Sequence, residues 1–149
     1  MSIALQDFNS KPKILIVDDE QNIREMLKRH FSFLGYEVDE RSDPQQALQL
    51  LDETRFEVVI SDINMPKMSG IDFLKKVKRE YPMTHFIMIT GYVTMQNVLT
   101  CMRYGADTCI FKPIEDITEL EDAVKSAVDH LKRWQLKLKT MIQMKPEKT

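Results

Sequence analysis

Four short apolar runs, each followed at once by a polar side chain, constrain the fold of this 149-residue chain more than any other feature. The runs span residues 13–17, 58–61, 86–89 and 108–111. Short apolar runs between helical patterns are typical of buried strands in a parallel sheet. The residues that follow them are Asp18-Asp19, Asp62, Thr90 and Lys112-Pro113. Because ligands bind at the carboxyl ends of such strands, we expect these side chains to share one patch.

Helical and edge-strand patterns occupy the first intervals between these runs. One helical face is predicted before Gly35, carrying Ile23, Met26, Leu27, Phe31 and Leu34. Residues 36–41 alternate polar and apolar side chains, as a half-exposed edge strand does. Asp43-Pro44 then predicts an N-cap and a first-turn proline. The helix that they open carries Ala47, Leu50 and Leu51 inward.

Three further helices are predicted after residue 62. The third follows a loop through Ser69-Gly70, ends near Tyr81-Pro82 and carries Phe73, Leu74 and Val77 inward. The fourth spans about residues 93–104, ends at Gly105 and carries Val93, Val98 and Met102 inward. The last begins near Asp116 and is unusually long.

Five strands therefore alternate with five helices through short connections. Right-handed crossovers then predict an α/β fold, a doubly wound five-stranded parallel sheet with an extended last helix. We divide the chain into an N-terminal tail (1–11), one domain (12–131) and an extended terminal helix with a basic tail (132–149).

Composition narrows the class of protein. The formal charge is −2, but residues 131–149 carry six basic side chains against one acidic, so the body is acidic and the tail basic. No stretch is apolar enough for a membrane span, and the first eleven residues lack the pattern of a signal peptide. Cys101 and Cys109 fit no metal motif and suit a reducing compartment, so we expect a cytoplasmic protein without membrane or direct nucleic-acid contacts.

The three aspartates in the predicted patch need compensation. Two unit charges ~4 Å apart repel by roughly 4 kcal/mol at an effective dielectric near 20. In a cluster of Asp18, Asp19 and Asp62, either the pKa of a carboxyl group must therefore rise or the carboxylates must bind a cation. Hard oxygen ligands of this kind suit Mg²⁺. A carboxylate can also attack phosphorus to form an acyl phosphate. Lys112 would supply a compact positive charge beside it.

These four motifs together resemble the receiver domain of two-component response regulators, over about residues 11–131. Successive motifs, counted from Asp19, are separated by 43, 28 and 22 residues, which suits βα units. The resemblance implies a flavodoxin-like sheet of strand order 2-1-3-4-5. It also implies a phosphoryl-accepting switch, which catalyses only phosphoryl transfer to itself and its own dephosphorylation. Its phosphodonor would be a sensor histidine kinase or a phosphotransfer protein. The switching face would be formed by the fourth helix, fifth strand and fifth helix.

The resemblance also implies residue roles. Asp62 would be the phosphoryl acceptor, with Mg²⁺ held by Asp19, the Asp62 carboxylate and the backbone carbonyl of Asn64, and with Asp18 acting through a coordinated water. Thr90 would offer its hydroxyl to a phosphoryl oxygen. Lys112 would pair with Asp62 at rest and with the phosphoryl group afterwards. The Lys112-Pro113 bond would be cis.

Three positions depart from the family pattern or adjoin the pocket. Cys109 stands where receivers usually carry a Tyr or Phe that swings inward with Thr90, so coupling must run through another group. Phe111 stands where a polar residue is common, and fits either a partner contact or a local filler. Tyr92 would lie at the pocket rim, where it either slows hydrolysis or only faces solvent.

Other functions are weaker. A hydrolase with an aspartyl-phosphate intermediate needs a nucleophile and an acid two residues apart after the first strand and then a Thr, and no Thr follows Asp18-Asp19-Glu20. A flavodoxin-like cofactor binder needs a hydroxyl- and glycine-rich loop at that point. Within the signalling class, the chain fits both a single-domain regulator and the excised receiver of a longer regulator or hybrid kinase.

The last helix predicts a contact outside the domain. A heptad stripe continues past the length that the domain needs, with spacings of four and three residues. Its members are Leu120, Val124, Ala127, Leu131, Trp134, Leu138 and Met141. We expect a projecting helix that forms a homodimer, together with the face bearing Phe111, or that leads towards an output domain. A frayed basic tail is the remaining interpretation.

Overall fold

The computed structural model describes residues 10–144 and contains five strands and five helices within that range. The strands are β1 (Lys13–Val17), β2 (Glu37–Arg41), β3 (Val58–Asp62), β4 (His85–Thr90) and β5 (Thr108–Phe111). The helices are α1 (Gln21–Phe33), α2 (Pro44–Glu53), α3 (Gly70–Glu80), α4 (Met95–Arg103) and α5 (Thr118–Gln143). All pairings are parallel and the order is β2-β1-β3-β4-β5, which confirms the predicted fold.

Local sequence explains where the helices begin and end. The Asp43 carboxylate accepts a hydrogen bond from the Gln45 N–H at 2.7 Å, so the predicted N-cap of α2 is confirmed. The Ser69 hydroxyl accepts the Asp72 N–H at 3.2 Å and caps α3 in the same way. Gly35 has a φ of 96°, which a side chain would disfavour, and it turns the chain after α1 into β2.

Apolar side chains form one core on each face of the sheet. One core joins α1 and α5 to alternate residues of the strands, among them Ile14, Ile16, Ile60 and Ile87. The other joins α2, α3 and α4 to the alternate set, among them Leu15, Val59, Phe86 and Met88. Side chains of successive strand residues point to opposite faces, so a strand buried on both sides is apolar throughout. The covered sheet brings the ends of β1, β3, β4 and β5 to one edge.

Two predicted helix faces are partly wrong. In α4 the buried residue is Cys101, whereas Val93 lies before the helix and is exposed, as is Met102. In α1, Leu27 and Phe31 are buried but Met26 is exposed, and Leu34 lies just after the helix and is exposed as well. Both errors arise where apolar residues outnumber the positions that can face the sheet, so periodicity alone did not select the inward set.

Helix α5 is 26 residues long, which corresponds to about 39 Å at 1.5 Å per residue. Its buried side chains end at Leu131, and Trp134 is 58% exposed. The predicted tails at 1–9 and 145–149 lie outside the described residues. Within residues 10–144, no helix combines the length and the apolar character that crossing a membrane requires.

Candidate functional site

The carboxyl ends of β1 and β3 place two buried carboxylates beside the segment that follows β5. Asp18 follows β1 and is fully buried, and Asp62 is the last residue of β3 and is 5% exposed. Lys112 follows β5, and the Lys112-Pro113 peptide bond is cis, as the resemblance implied. The sheet order makes β1 and β3 neighbours, so residues distant in sequence meet at this edge.

Lys112 joins these carboxylates. Its Nζ donates hydrogen bonds to Asp18 Oδ2 at 3.0 Å and to Asp62 Oδ2 at 3.1 Å. Glu20 Oε2 lies 3.7 Å from the same nitrogen. Because Lys112 is itself largely buried, this ammonium is the positive charge that offsets two carboxylates removed from water.

Backbone groups occupy the remaining oxygen of each carboxylate. Asp62 Oδ1 accepts the Ile63 N–H at 2.7 Å, and Asp18 Oδ1 accepts the Glu20 N–H at 2.8 Å. The Arg24 guanidinium donates to the backbone carbonyl of Asp18 at 2.8 Å. Each aspartate therefore has both oxygens hydrogen-bonded, which fixes its orientation towards the strand ends.

The electrostatic balance of the pocket follows from this burial. Burial raises the pKa of Asp18, although the Glu20 N–H and Lys112 oppose that change. Burial alone would lower the pKa of Lys112, but the hydrogen bonds and charges of Asp18 and Asp62 together raise it above its ordinary value. Lys112 is therefore held as an ammonium between the two acids.

The donor set fits a hard divalent cation. Carboxylate oxygens of Asp18, Asp19 and Asp62 lie within 4.8 Å of one another, and Asp19 is exposed. Mg²⁺ binds through one or two carboxylates and keeps several waters, so it needs no enclosed protein cage. An exposed Asp19 beside two oriented aspartates gives such an ion both ligands and a path from solvent.

Thr90, Tyr92 and Asn64 lie at or just after the carboxyl ends of the neighbouring strands β3 and β4. Thr90 ends β4 and is fully buried, and its Oγ1 accepts the Tyr92 N–H at 2.9 Å. The Tyr92 side chain is exposed, as is Asn64, which stands two residues after Asp62. Thr90 thus ends β4 at the same edge of the sheet at which Asp62 ends the neighbouring strand β3.

Comparison with known proteins decides the family. The model of the response regulator receiver domain matches residues 14–125. The chain belongs to this family. Regulatory protein AtoC of Escherichia coli (strain K12) is 36% identical over 116 residues, which cover 78% of this chain and 25% of AtoC. This receiver spans between about a quarter and a half of the length of the curated relatives it matches.

Solved receiver structures share the fold. Response regulator TrrA of Thermotoga maritima in complex with Mg²⁺-BeF aligns with a TM-score of 0.71 and 32% identity, covering 78% of this chain and 98% of that one. The beryllofluoride-activated NtrC4 receiver domain dimer aligns with a TM-score of 0.75 and 26% identity, covering 79% and 97%. Receiver domains are phosphoryl-accepting switches, and this chain has their architecture.

The structure places a thiol, Cys109, at the position where the resemblance implied an aromatic ring. Cys109 on β5 is half-buried and hydrogen-bonds with the buried Cys101 of α4. Burial raises the pKa of Cys109 to about 12 and also raises that of Cys101, so both remain protonated thiols at neutral pH. Phe111, two residues on, is 49% exposed. Strand β5 therefore presents its ring to solvent and its thiol to α4.

Sequence reasoning overlooked Gly70 as a site residue. Its N–H donates to the Ile63 carbonyl at 2.7 Å. A Cβ at this position would lie 2.0 Å from the Asp62 carbonyl oxygen, so only glycine allows the start of α3 to approach β3 this closely. The motif Ser69-Gly70 at the start of a helix indicated a cap, but nothing in the sequence indicated contact with Asp62.

Proposed function

We propose that this receiver accepts a phosphoryl group on Asp62 with Mg²⁺ bound at Asp18, Asp19, Asp62 and Asn64. The observation that carries the proposal is the position of Lys112 Nζ, about equally far from Asp18 Oδ2 and Asp62 Oδ2 beside a third carboxylate. A site built only to cap helices would need neither a buried lysine nor three converging acids.

Each residue has a distinct part in this proposal. An Asp62 oxygen forms the new bond to phosphorus, while the bond from phosphorus to the donor's histidine nitrogen breaks and that nitrogen takes up a proton. Lys112 exchanges its contact with Asp62 for one with the phosphoryl group, and Thr90 turns its hydroxyl from the Tyr92 backbone to a phosphoryl oxygen. Bound Mg²⁺ would neutralise negative charge on the transferring oxygens.

The donor is proposed to be a sensor histidine kinase or a phosphotransfer protein. We infer no catalysis on other substrates, only phosphoryl acceptance by Asp62 and hydrolysis of the acyl phosphate formed there. A cytoplasmic location is part of the same proposal, and it is supported by two free thiols, which are typical of a reducing compartment.

The first test measures phosphoryl acceptance directly. Incubation with a small-molecule phosphodonor and Mg²⁺ should add one phosphate by intact-mass spectrometry, and Asp62→Asn should abolish it because an amide is not nucleophilic enough. Asp122→Asn, a matched change at an exposed aspartate of α5, should label normally. Labelling that persists in Asp62→Asn, or that ignores EDTA, would contradict the assignment.

We propose that phosphorylation changes the face formed by α4, β5 and α5. This face carries exposed apolar side chains, and an exposed cluster of this kind marks a protein contact. Its members are Met95, Leu99, Met102 and Phe111. Cys109 adjoins it from β5 and contacts α4 through Cys101, so the thiol pair links the strand to the helix that would move.

The segment of α5 beyond Leu131 is proposed to contact a second copy or an output domain. It is helical through Gln143, which disfavours the frayed-tail interpretation, and it exposes apolar side chains. These are Trp134, Leu136, Met141 and Ile142. The alternative to a homodimer is that this chain is the excised receiver of a longer regulator, in which the same helix would lead to the output domain.

Sedimentation of the full chain distinguishes these interpretations. A homodimer should be present at tens of micromolar, with or without phosphodonor, and both truncation after Leu131 and Trp134→Glu should give monomers. Burying Trp134 contributes much of the contact energy, so a charge there is costly. Lys137→Glu adds a carboxylate at an exposed position of the same segment and should leave the dimer intact. A full chain that sediments as a monomer throughout would leave only the output-domain interpretation.

A further inference from the structure

Two histidines and an aspartate meet at the edge of the sheet opposite to the acidic pocket. His85 is the first residue of β4, Asp107 immediately precedes β5, and His130 lies on α5. Thr90, at the other end of β4, is five residues from His85, or roughly 17 Å at 3.3–3.4 Å per residue. The cluster is therefore separate from the Mg²⁺ site.

Asp107 fixes the protonation of the His85 ring. Its Oδ2 lies 2.5 Å from His85 Nδ1, and a carboxylate can only accept, so Nδ1 carries the proton. Asp107 is itself held against β4, because its backbone N–H donates to the Phe86 carbonyl at 2.7 Å. In the neutral ring Nε2 then carries a lone pair, which accepts a hydrogen bond from His130 Nδ1.

The two ring nitrogens that face each other have the separation of metal ligands. His85 Nε2 and His130 Nδ1 are 3.1 Å apart, with the rings nearly perpendicular at 84°. Two imidazole nitrogens at 2.0–2.1 Å from a tetrahedral Zn²⁺ lie roughly 3.3 Å apart. Metal binding would replace this hydrogen bond: the His130 proton moves to Nε2, and both rings turn so that the two lone pairs converge on one ion.

We propose that His85 and His130 bind a divalent transition-metal ion of the Zn²⁺ class, with Asp107 as a positioning residue. A carboxylate that accepts the second N–H of a ligand histidine orients the ring and raises its basicity, and this arrangement is common around metal-bound histidines. Imidazole nitrogens favour Zn²⁺, Cu²⁺ and Ni²⁺ over Mg²⁺, so the two sites differ in the ion they select.

The site would join α5 to the sheet just before the helix leaves the domain. His130 precedes Leu131, the last buried side chain of α5. An ion that links it to β4 would fix the base of the projecting segment. This consequence does not depend on phosphoryl transfer at Asp62.

Calorimetric titration of the full chain with Zn²⁺, in a buffer that contains millimolar Mg²⁺ to occupy the aspartates, tests the proposal. We expect one Zn²⁺ per chain, and His130→Gln should weaken binding at least tenfold. Because His130 is exposed, this substitution should leave the fold intact, and circular dichroism checks that it does. Asp107→Asn should weaken binding by about 10–100-fold without removing either ligand. His30→Gln, at the third histidine, which pairs with Glu121, should have no effect.

A spectroscopic measurement separates ligation from a structural role. The ring signals of His85 and His130 should shift together in proton–nitrogen NMR at one equivalent of Zn²⁺, while those of His30 stay in place. Equal Zn²⁺ affinity in wild type and His130→Gln, or the absence of any saturable binding, would overturn the proposal. Shifts confined to one of the two rings would overturn it as well.

Discussion

Replacing Lys112 with methionine should lower the free energy of unfolding by about 3 kcal/mol in metal-free buffer, because removing one partner of a buried ion pair leaves the other uncompensated. Here two carboxylates lose their cation at once, since Nζ contacts Asp18 and Asp62 at 3.0 and 3.1 Å. Methionine keeps the length of the stem, so the loss is electrostatic. Urea unfolding at neutral pH in EDTA measures it.

Mg²⁺ should reduce this difference by about half or more. Binding at 100 times the dissociation constant stabilises a folded protein by about 2.7 kcal/mol. In the wild type, Lys112 competes for the oxygens that the ion needs, whereas in the variant they are free, so Mg²⁺ stabilises the variant more. Lys76→Met, an exposed lysine on α3, is the matched control and should change little in either buffer.

The outcome of the paired experiment is specific to the pocket. If Lys112→Met and Lys76→Met unfold at the same urea concentration in EDTA, the lysine does not compensate the acids. If the deficit of Lys112→Met is unchanged by Mg²⁺, the three aspartates do not form one cation site. Adding Asp62→Asn to Lys112→Met should recover stability, since it removes one of the two uncompensated charges.

The fold was predictable because its determinants are local. Every strand except the alternating edge strand β2 is largely an apolar run, and helices α1 to α4 each have a cap or a breaker. Right-handed crossovers then leave few arrangements of five βα units. The same reasoning predicted that Asp18, Asp62 and Lys112 would meet, since the ends of parallel strands share an edge. Strand register, not side-chain detail, determines this proximity.

The errors lie where the choice among several apolar residues depends on tertiary contacts. Helix α4 was given Val93 and Met102 as inward residues, but the helix begins two residues after Val93 and turns Cys101 to the sheet. The contact of Cys101 with Cys109 is visible only once β5 lies beside α4. A pattern of hydrophobic residues cannot identify the inward set when the exposed face is apolar as well.

The contact of His85 with Asp107 and His130 was equally invisible in the sequence. These residues are 22 and 45 positions apart and belong to no common motif. They meet at the edge of the sheet opposite to the carboxyl ends of the strands, and the sequence analysis considered only the carboxyl ends.

Gly70 was missed for another reason, since a glycine at the start of a helix has no distinctive pattern.

Replacing Gly70 with alanine should destabilise the domain by about 3 kcal/mol, at the upper end of the range for overpacking. The added Cβ would lie 2.0 Å from the Asp62 carbonyl oxygen and 2.8 Å from Ile63 Cα. Both are backbone atoms, so no side chain can rotate to make room. Either the start of α3 must move away from β3, or Asp62, the proposed phosphoryl acceptor, must move.

Either movement should also slow phosphoryl acceptance, because a displacement of the Asp62 backbone moves the Asp62 carboxylate away from Lys112. Thermal melts and phosphodonor labelling of Gly70→Ala below its melting temperature measure the two effects separately. Gly91→Ala is the matched control, since a Cβ there would meet only Lys112 Cβ, at an ordinary 3.7 Å. Equal stability and labelling of the two variants would mean that α3 adjusts freely, and that the close approach of Gly70 to β3 does not position Asp62.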